Sequence, residues 1–369
     1  MNTPTAPAPI PDEHSMRRME AALFTRIDAA EANTPNRTES HNSVVGREIS
    51  SPRSRRRWIG FSSVAAAALA VALVLTDVVG FAGWRGGSET AAAAVLEQAA
   101  TSAVQLSDPV VGDGEYLLVE TKAVNINSTD GTSFLALTTD QMYIPEDRDD
   151  DWVWFRPVSQ PYGSFGPESQ AASEANFAAI HAEHGEDYVE KLRAPAGRWY
   201  SGDSQVSPEA LSDLPRDPHR LLNYIYRTTL GSGPSQDGEA LVFIADRLRS
   251  GVLPADVRAS LYQAAALIPG VEFIEDQATL DGRTGTAIGR VEANGNFRQD
   301  IIIDPATGLF IGERRTEFTA QNGIPANTIT SWTSVTTTVV PNAPAGGTQN
   351  GFMDDMGCIT TNGGSICPP

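Results

Sequence analysis

The segment Asp300-Ile301-Ile302-Ile303-Asp304-Pro305-Ala306-Thr307-Gly308-Leu309-Phe310-Ile311 reads as strand, turn, strand. Two β-branched and apolar runs flank the turn residues. There Pro presets φ, the Asp carboxylate reaches nearby backbone, and Gly accepts positive φ. Asp281-Gly282, Asn294-Gly295 and Asn322-Gly323 repeat the punctuation on either side. Together these turns divide residues 271–340 into five expected strands: 271–279, 284–292, 297–303, 309–319 and 327–340. Strands joined so tightly are antiparallel neighbours.

Working upstream, Pro254 to Ile268, Asp237 to Arg249 and the run opened by Asp217-Pro218 carry apolar residues at helical spacing. Gly197 to Tyr200 reads as a short strand, Ser173 to Lys191 as a helix and residues 157–170 as a loop. Trp152–Phe155, Thr132–Tyr143 and Glu115–Ile126 read as strands, and Ser88 to Leu106 as an Ala-rich helix. The sum is an α+β domain over residues 86–340, an antiparallel sheet of eight or nine strands with a helical insert. Its roughly 250 residues suffice for one packed core.

Ahead of that domain lies an apolar run. Arg53, Arg55, Arg56 and Arg57 precede it, no charge falls between Ile59 and Leu75, and Trp58 and Trp84 bracket it. About 20 apolar residues cross a bilayer core of roughly 30 Å, so residues 58–84 are an expected transmembrane helix. Arginines are retained on the cytoplasmic side, which puts the N-terminus inside and residues 86–369 outside. The expected location is the cell (plasma) membrane, with one span. The competing reading is a processed export signal, whose basic region belongs at the start of the chain; here more than fifty residues precede the run.

Charge follows the same division. The whole chain carries −19, while residues 86–369 hold 17 basic and 38 acidic side chains, a net of −21. So acidic a domain does not bind nucleic acid through its field, because phosphate neutralisation needs a basic face.

Residues 1–57 are polar and Pro-rich, as disordered segments are, except near 12–32. There Met16, Met19, Leu23 and Ile27 form an apolar helical stripe with nothing adjacent to pack on. A protein partner, the inner leaflet, or a marginal solvated helix are the three readings of it. The tail, 341–369, is rich in Gly, Pro and Asn and holds both cysteines, Cys358 and Cys367. Outside the membrane a small-loop disulfide is expected, the alternative being two free thiols.

Leu214-Pro215-Arg216-Asp217-Pro218 with Leu221 and Leu222 opens a recognisable series. Arg258-Ala259-Ser260-Leu261-Tyr262 and Leu267-Ile268-Pro269-Gly270-Val271 continue it. Asp281-Gly282-Arg283-Thr284-Gly285 and Asp304-Pro305-Ala306-Thr307-Gly308 with Gly312-Glu313 complete it. With the Arg cluster and the single span, this resembles an uncharacterised actinobacterial family of single-pass membrane proteins over about residues 10–340. Members are commonly encoded beside extracytoplasmic-function sigma factors, and the family has no established activity. The resemblance implies an extracytoplasmic domain in a signalling neighbourhood. In architecture the element order is similar to the half-barrels of lipoprotein carriers and anti-sigma-factor regulators, which implies an apolar concavity. On that implication Leu118, Leu137, Trp154, Ile288 and Ile303 face one ligand-binding hollow, closed by helices over 217–230 and 254–268.

Catalytic signals are few. His181 and His184 share a helical face three apart, without the i, i+4 spacing and adjacent Glu of zinc proteases. Asp147, Asp149 and Asp151 alternate like a calcium loop, but Trp152 and Val158 stand where that loop requires Gly and Glu. Ser164 lacks the nucleophile-elbow spacing, and no phosphate-cradling loop with Lys occurs. No catalytic residue, metal site or cofactor is expected. Two functions remain: an envelope sensor or regulator whose inner helix meets a cytoplasmic partner such as a sigma factor, or a membrane-tethered carrier of a hydrophobic, lipid-like ligand.

Overall fold

A computed structural model of the chain describes residues 87–353 apart from 107, 200–209, 212, 293 and 350–351, together with 359–361 and 364–366. All of them fall in one unit, Ala72–Pro369. In chain order the elements are α1 (Thr90–Gln105), β1 (Tyr116–Thr129), β2 (Thr132–Pro145), β3 (Asp151–Pro157), β4 (Gln160–Ser164), α2 (Pro167–His184) and β5 (Val189–Pro195). Next come α3 (Pro218–Thr228), α4 (Gln236–Arg249), α5 (Ala255–Ala266), β6 (Val271–Leu280), β7 (Arg283–Glu292), β8 (Phe297–Asp304), β9 (Leu309–Glu317) and β10 (Thr328–Val340). The tail adds β11 (Thr348–Gln349), β12 (Phe352–Met353), β13 (Ile359–Thr361) and β14 (Gly364–Ile366).

The turns form for the reasons their residues supply. Asp281 and Gly282 take φ of 46° and 77°, two positive values in succession, which match the twist of a two-residue hairpin. Asp304 accepts from Ala306 N at 3.0 Å and Thr307 Oγ1 at 2.7 Å. Gly308 then bends with φ 68° so close to α1 that a Cβ would sit 2.5 Å from Ala99 O. Helix starts are capped: Asp217 accepts from Arg220 N with Pro218 in the first turn, and Ser235 accepts from Gly238 N.

Eleven strands make one sheet in the order β11-β5-β3-β2-β1-β10-β9-β8-β7-β6, with β4 paired to β2 off that path. The long β1–β2 hairpin and the β6–β10 meander meet at the centre, where β10 pairs with β1 from Tyr116↔Val340 to Val124↔Trp332. Only β11 runs parallel to its neighbour, β5. Alternation then sorts the side chains. Leu117, Val119, Ile144, Trp152, Ile288, Ile301, Ile303 and Val335 join one core cluster with Leu96 of α1, Leu221 and Ile225 of α3, Leu241 and Ile244 of α4, and Leu261 of α5. The Ala-rich faces of α1 and α5 let these helices pack closely. A fully buried Leu or Ile contributes about 1.5–3 kcal/mol, so this layer supplies most of the folding drive.

The other face has a smaller cluster: Ala278, Leu280, Ala287, Ile302 and Ile311. Register shifts bend β6, and the Asp281–Arg283 turn lies over β9 and β10. There Arg283 donates to the carbonyls of Ile311 and Val335, and Asp281 accepts from Ser334 Oγ. At the far end of the β1–β2 hairpin, α2 packs Phe177 edge-on to Phe134 at 6.0 Å.

Three expectations change. The segment read as a loop and a helix over 157–191 is a strand, β4, then α2 shifted toward the N-terminus, then β5. Pro167 sits in the first turn of α2, and Gly185 at φ 86° stops it before Lys191. Residues 196 and 197 form a turn at φ 51° and 66°, where a strand had been expected over 197–200. The tail returns to the sheet as β11, where Arg193 holds the carbonyls of Pro344 and Gly346, and β12–β14 form a separate three-stranded sheet. The expected span at 58–84, the inner helix and Cys358 and Cys367 lie outside the described residues. Among the described residues no helix is long and apolar enough to cross a membrane.

Candidate functional site

Across β1, β2 and β3 the register pairs Val119 with Met142, Thr121 with Asp140, and Met142 with Trp154. These five side chains therefore share the helix-covered face. The last turn of α4 descends onto them with Asp246, Arg249 and Ser250. Gly251 permits that approach: its φ is 70°, and a Cβ there would lie 2.7 Å from Val119 Cγ1. The eight residues line a half-open cleft of about 160 Å³.

Its electrostatics are uneven. Arg249 is spent on two carboxylates, Asp246 at 2.6 Å and the buried Glu313 of β9 at 2.5 Å. Burial opposes the Arg249 charge, but Glu313 and Asp246 outweigh it and hold its pKa above the ordinary guanidinium value. Burial lifts the Glu313 carboxyl, with Arg249 and the Gln299 amide, 2.9 Å away, offsetting part of the rise. Asp140 is also lifted by burial. Arg156 and the Trp154 indole counter that only in part: Arg156 Nε stands 3.8 Å away, and its Nη1 is drawn to Glu190 at 3.1 Å. The Trp154 N–H is directed at the Asp140 carboxylate and is shielded from solvent. Arg156 covers the Trp154 ring at 4.4 Å, and Trp199 packs on it at 5.2 Å.

Among the described residues that line this cleft, no nucleophile is paired with a base. Ser250 Oγ, the one hydroxyl at the helix end, donates to Arg247 O at 2.7 Å. A second cleft of about 430 Å³ is lined by Tyr116, Pro145, Asp149, Asp150, Asp151, Arg193 and Pro195. His181 and His184 lie in the last turn of α2, where His184 stacks on Tyr188 at 5.0 Å. Among the described residues no three His, Cys, Asp or Glu side chains stand together as metal ligands.

The five residues expected to line one hollow are dispersed. Trp154 lines the cavity above. Ile288 and Ile303 are 0% exposed inside the helix-covered core. Leu118 and Leu137 alternate onto the opposite face, half-buried, as the register of β1 with β2 requires. Met16, Met19, Leu23 and Ile27 lie outside the described residues. Asp140, Asp246 and Arg249 were not singled out from sequence, and Glu313 entered only through the Gly312-Glu313 pair of the family series, with no site role. The only signal was acidic residues inside otherwise apolar or β-rich runs, and nothing local connects them.

The fold and site thus define an α+β sheet domain with a small polar cleft at the end of a helix. No family model matches the chain, and no curated protein does. Among solved structures it is similar to a DUF1329 family protein from Desulfovibrio piger. Identity is 10%, the match covers 67% of this chain and 92% of that one, and the TM-score is 0.17. A likeness at that score carries no argument about function.

Proposed function

We propose that the chain is a single-pass membrane sensor or regulator. Its sheet domain is the extracytoplasmic recognition module, and its inner helix around Met16–Ile27 meets a cytoplasmic partner such as a sigma factor. The resemblance and the arginine-flanked apolar run support the topology. One observation favours recognition over lipid carriage: the helix-covered face of the sheet is filled by its own side chains, Ile288 and Ile303 among them at 0% exposure. A half-barrel carrier needs that space empty, and ligand sites usually run from about 300 to 1,000 Å³. The cleft beside α4 is smaller, at about 160 Å³, and its charged groups suit a small polar group.

Deleting residues 1–40 in the native host tests the reading. A regulator loses its transcriptional output while the outer domain still folds, and a carrier keeps its function. Lipid extraction and mass spectrometry of the full chain purified from its own membrane tests the alternative. Stoichiometric lipid that survives purification would replace the sensor reading with carriage.

A further inference from the structure

The β5 edge of the sheet is covered by the chain's own tail. β10 ends at Val340, paired with Tyr116 of β1. The chain next pairs at Thr348, on Leu192 of β5, with β1, β2 and β3 lying between. Of the seven residues of β5, Leu192 and Arg193 take a partner from β11. Parallel pairing is slightly weaker per residue than antiparallel, and an edge so briefly paired remains a template for another strand. Arg193 supplies the rest of the hold, donating from Nε to Gly346 O at 2.9 Å and from Nη2 to Pro344 O at 3.2 Å. Gly346 and Gly347 then turn the strap into register with successive φ of 82° and 117°, a pair of values that favours glycine.

Charge is mismatched across this contact. Residues 341–349 contain no Asp, Glu, Lys or Arg. They lie against Arg193, which shares one face of β5 with Lys191 two residues away. Lys191 sits over the Phe155 ring at 4.7 Å, and Arg193 is spent on neutral carbonyls. Among the described residues no carboxylate comes within 4.0 Å of either cation, although Asp149, Asp150 and Asp151 line a cleft with Arg193.

We propose that the β5 edge docks an extended segment of a partner protein, parallel to β5 and with an Asp or Glu on Arg193, and that residues 341–349 are the chain's own stand-in for it. A carboxylate meets the guanidinium fork through two parallel N–H···O bonds, where the strap offers two separate carbonyls. A strand longer than β11 also gains main-chain hydrogen bonds along the rest of the edge. Until such a segment arrives, the strap keeps the edge from pairing with other chains. This inference rests on the recognition role proposed above and names the surface and the class of partner.

Hydrogen exchange of the full chain in detergent micelles, read by mass spectrometry over residues 189–195 and 341–349, is the test. Gly346→Val loosens the strap alone, because nothing lies within 4 Å of a Cβ there and only the positive φ is penalised. It should speed exchange in both segments about tenfold and leave β1 and β10 unchanged. Ending the chain after Pro341 keeps every pair of β10 with β1 and uncovers the edge outright. A synthetic peptide of residues 341–349 at about 1 mM, the scale of a tethered segment's effective concentration, should slow exchange of 189–195 again in both variants. The same peptide carrying Ala345→Glu should act at about tenfold lower concentration, and Arg193→Gln should abolish that preference. A shortened chain whose β5 exchange is unchanged, or is not slowed by either peptide, overturns the docking site. Equal potency of the two peptides overturns the carboxylate. Deleting residues 1–40 should leave all these readings as they are. Peptides that fail while that deletion still abolishes transcriptional output refute the docking site and leave the sensor reading standing.

Discussion

Replacing Ile288 by Ala asks whether the helix-covered face is a packed core or a hollow waiting for a ligand. Ile288 lies on β7 opposite Ile301, has 0% exposure, and shares its cluster with Leu241 and Leu261. The substitution removes three carbons. At about 0.8 kcal/mol per buried carbon, the transfer loss is about 2.4 kcal/mol. If about 60 Å³ stays empty, at about 24 cal/mol per Å³, the cavity adds about 1.4 kcal/mol. The sum, roughly 4 kcal/mol, falls in the range of about 2–5 kcal/mol for such truncations. For a domain of this size it corresponds to a drop in Tm on the order of 10 °C. Urea unfolding of the full chain, followed by tryptophan fluorescence, measures it as a lowered midpoint at unchanged slope. Ile288→Val should cost about 0.5–1.5 kcal/mol and serves as the graded control. Leu118→Ala, on the half-buried opposite face, should cost less than Ile288→Ala. A loss below about 1 kcal/mol for Ile288→Ala would refute the reasoning, because a side chain lining an empty hollow has little packing to lose.

Asp140→Asn should raise the unfolding midpoint at pH 7. Burial lifts the folded-state pKa, so the folded protein holds this proton more tightly than the unfolded chain does. The resulting penalty is absent below about pH 3.9, grows as pH rises through the folded pKa, and is full above it. The variant's advantage should therefore shrink on acidification, and an advantage independent of pH between 4 and 7 would be inconsistent. Gly308→Val should cost more than about 2 kcal/mol, since φ is 68° and a Cβ would meet Ala103 N and Ala99 O at 2.5 Å. Gly282→Ala, with open space around it, should cost only the left-handed backbone penalty of about 1–2 kcal/mol. Thermal melts of the two side by side separate close approach from backbone preference. For topology, a reporter fused after Pro369 should be active only outside the cytoplasm and one at residue 45 only inside; a mature N-terminus near residue 85 would mean a processed signal. Cys358 and Cys367 should resist alkylation until reduced, and full labelling without reductant would remove the proposed bridge.

Much of the sheet was legible because its information is local. Asp281-Gly282 and Asp304 through Gly308 specify turns within a few residues of themselves. The five strands of the meander appear where those turns divide the chain. The helices α3, α4 and α5 were legible from caps and apolar spacing. The region from 157 to 200 was not, because Gly166, Gly185 and Gly197 set its boundaries while its apolar residues keep no clear period. Pro167 was the available signal for the start of α2.

By itself the sequence determined an α+β domain with an antiparallel sheet, because turn chemistry, alternation and capping depend on near neighbours along the chain. It also determined the acidic balance, which needs no structure at all. The tertiary structure alone decided which residues of each strand meet the helices. A shift of one residue in register exchanges the two faces, so Leu117 and Val119 are core while Leu118 is not. It also decided that β10 closes on β1, a pairing between segments roughly 200 residues apart that no local preference encodes. The cleft follows from the same non-local placement. Asp140 comes from β2, Trp154 from β3, Asp246 and Arg249 from α4, and Glu313 from β9. They become one site only because the packing of α4 on the sheet brings their side chains within reach.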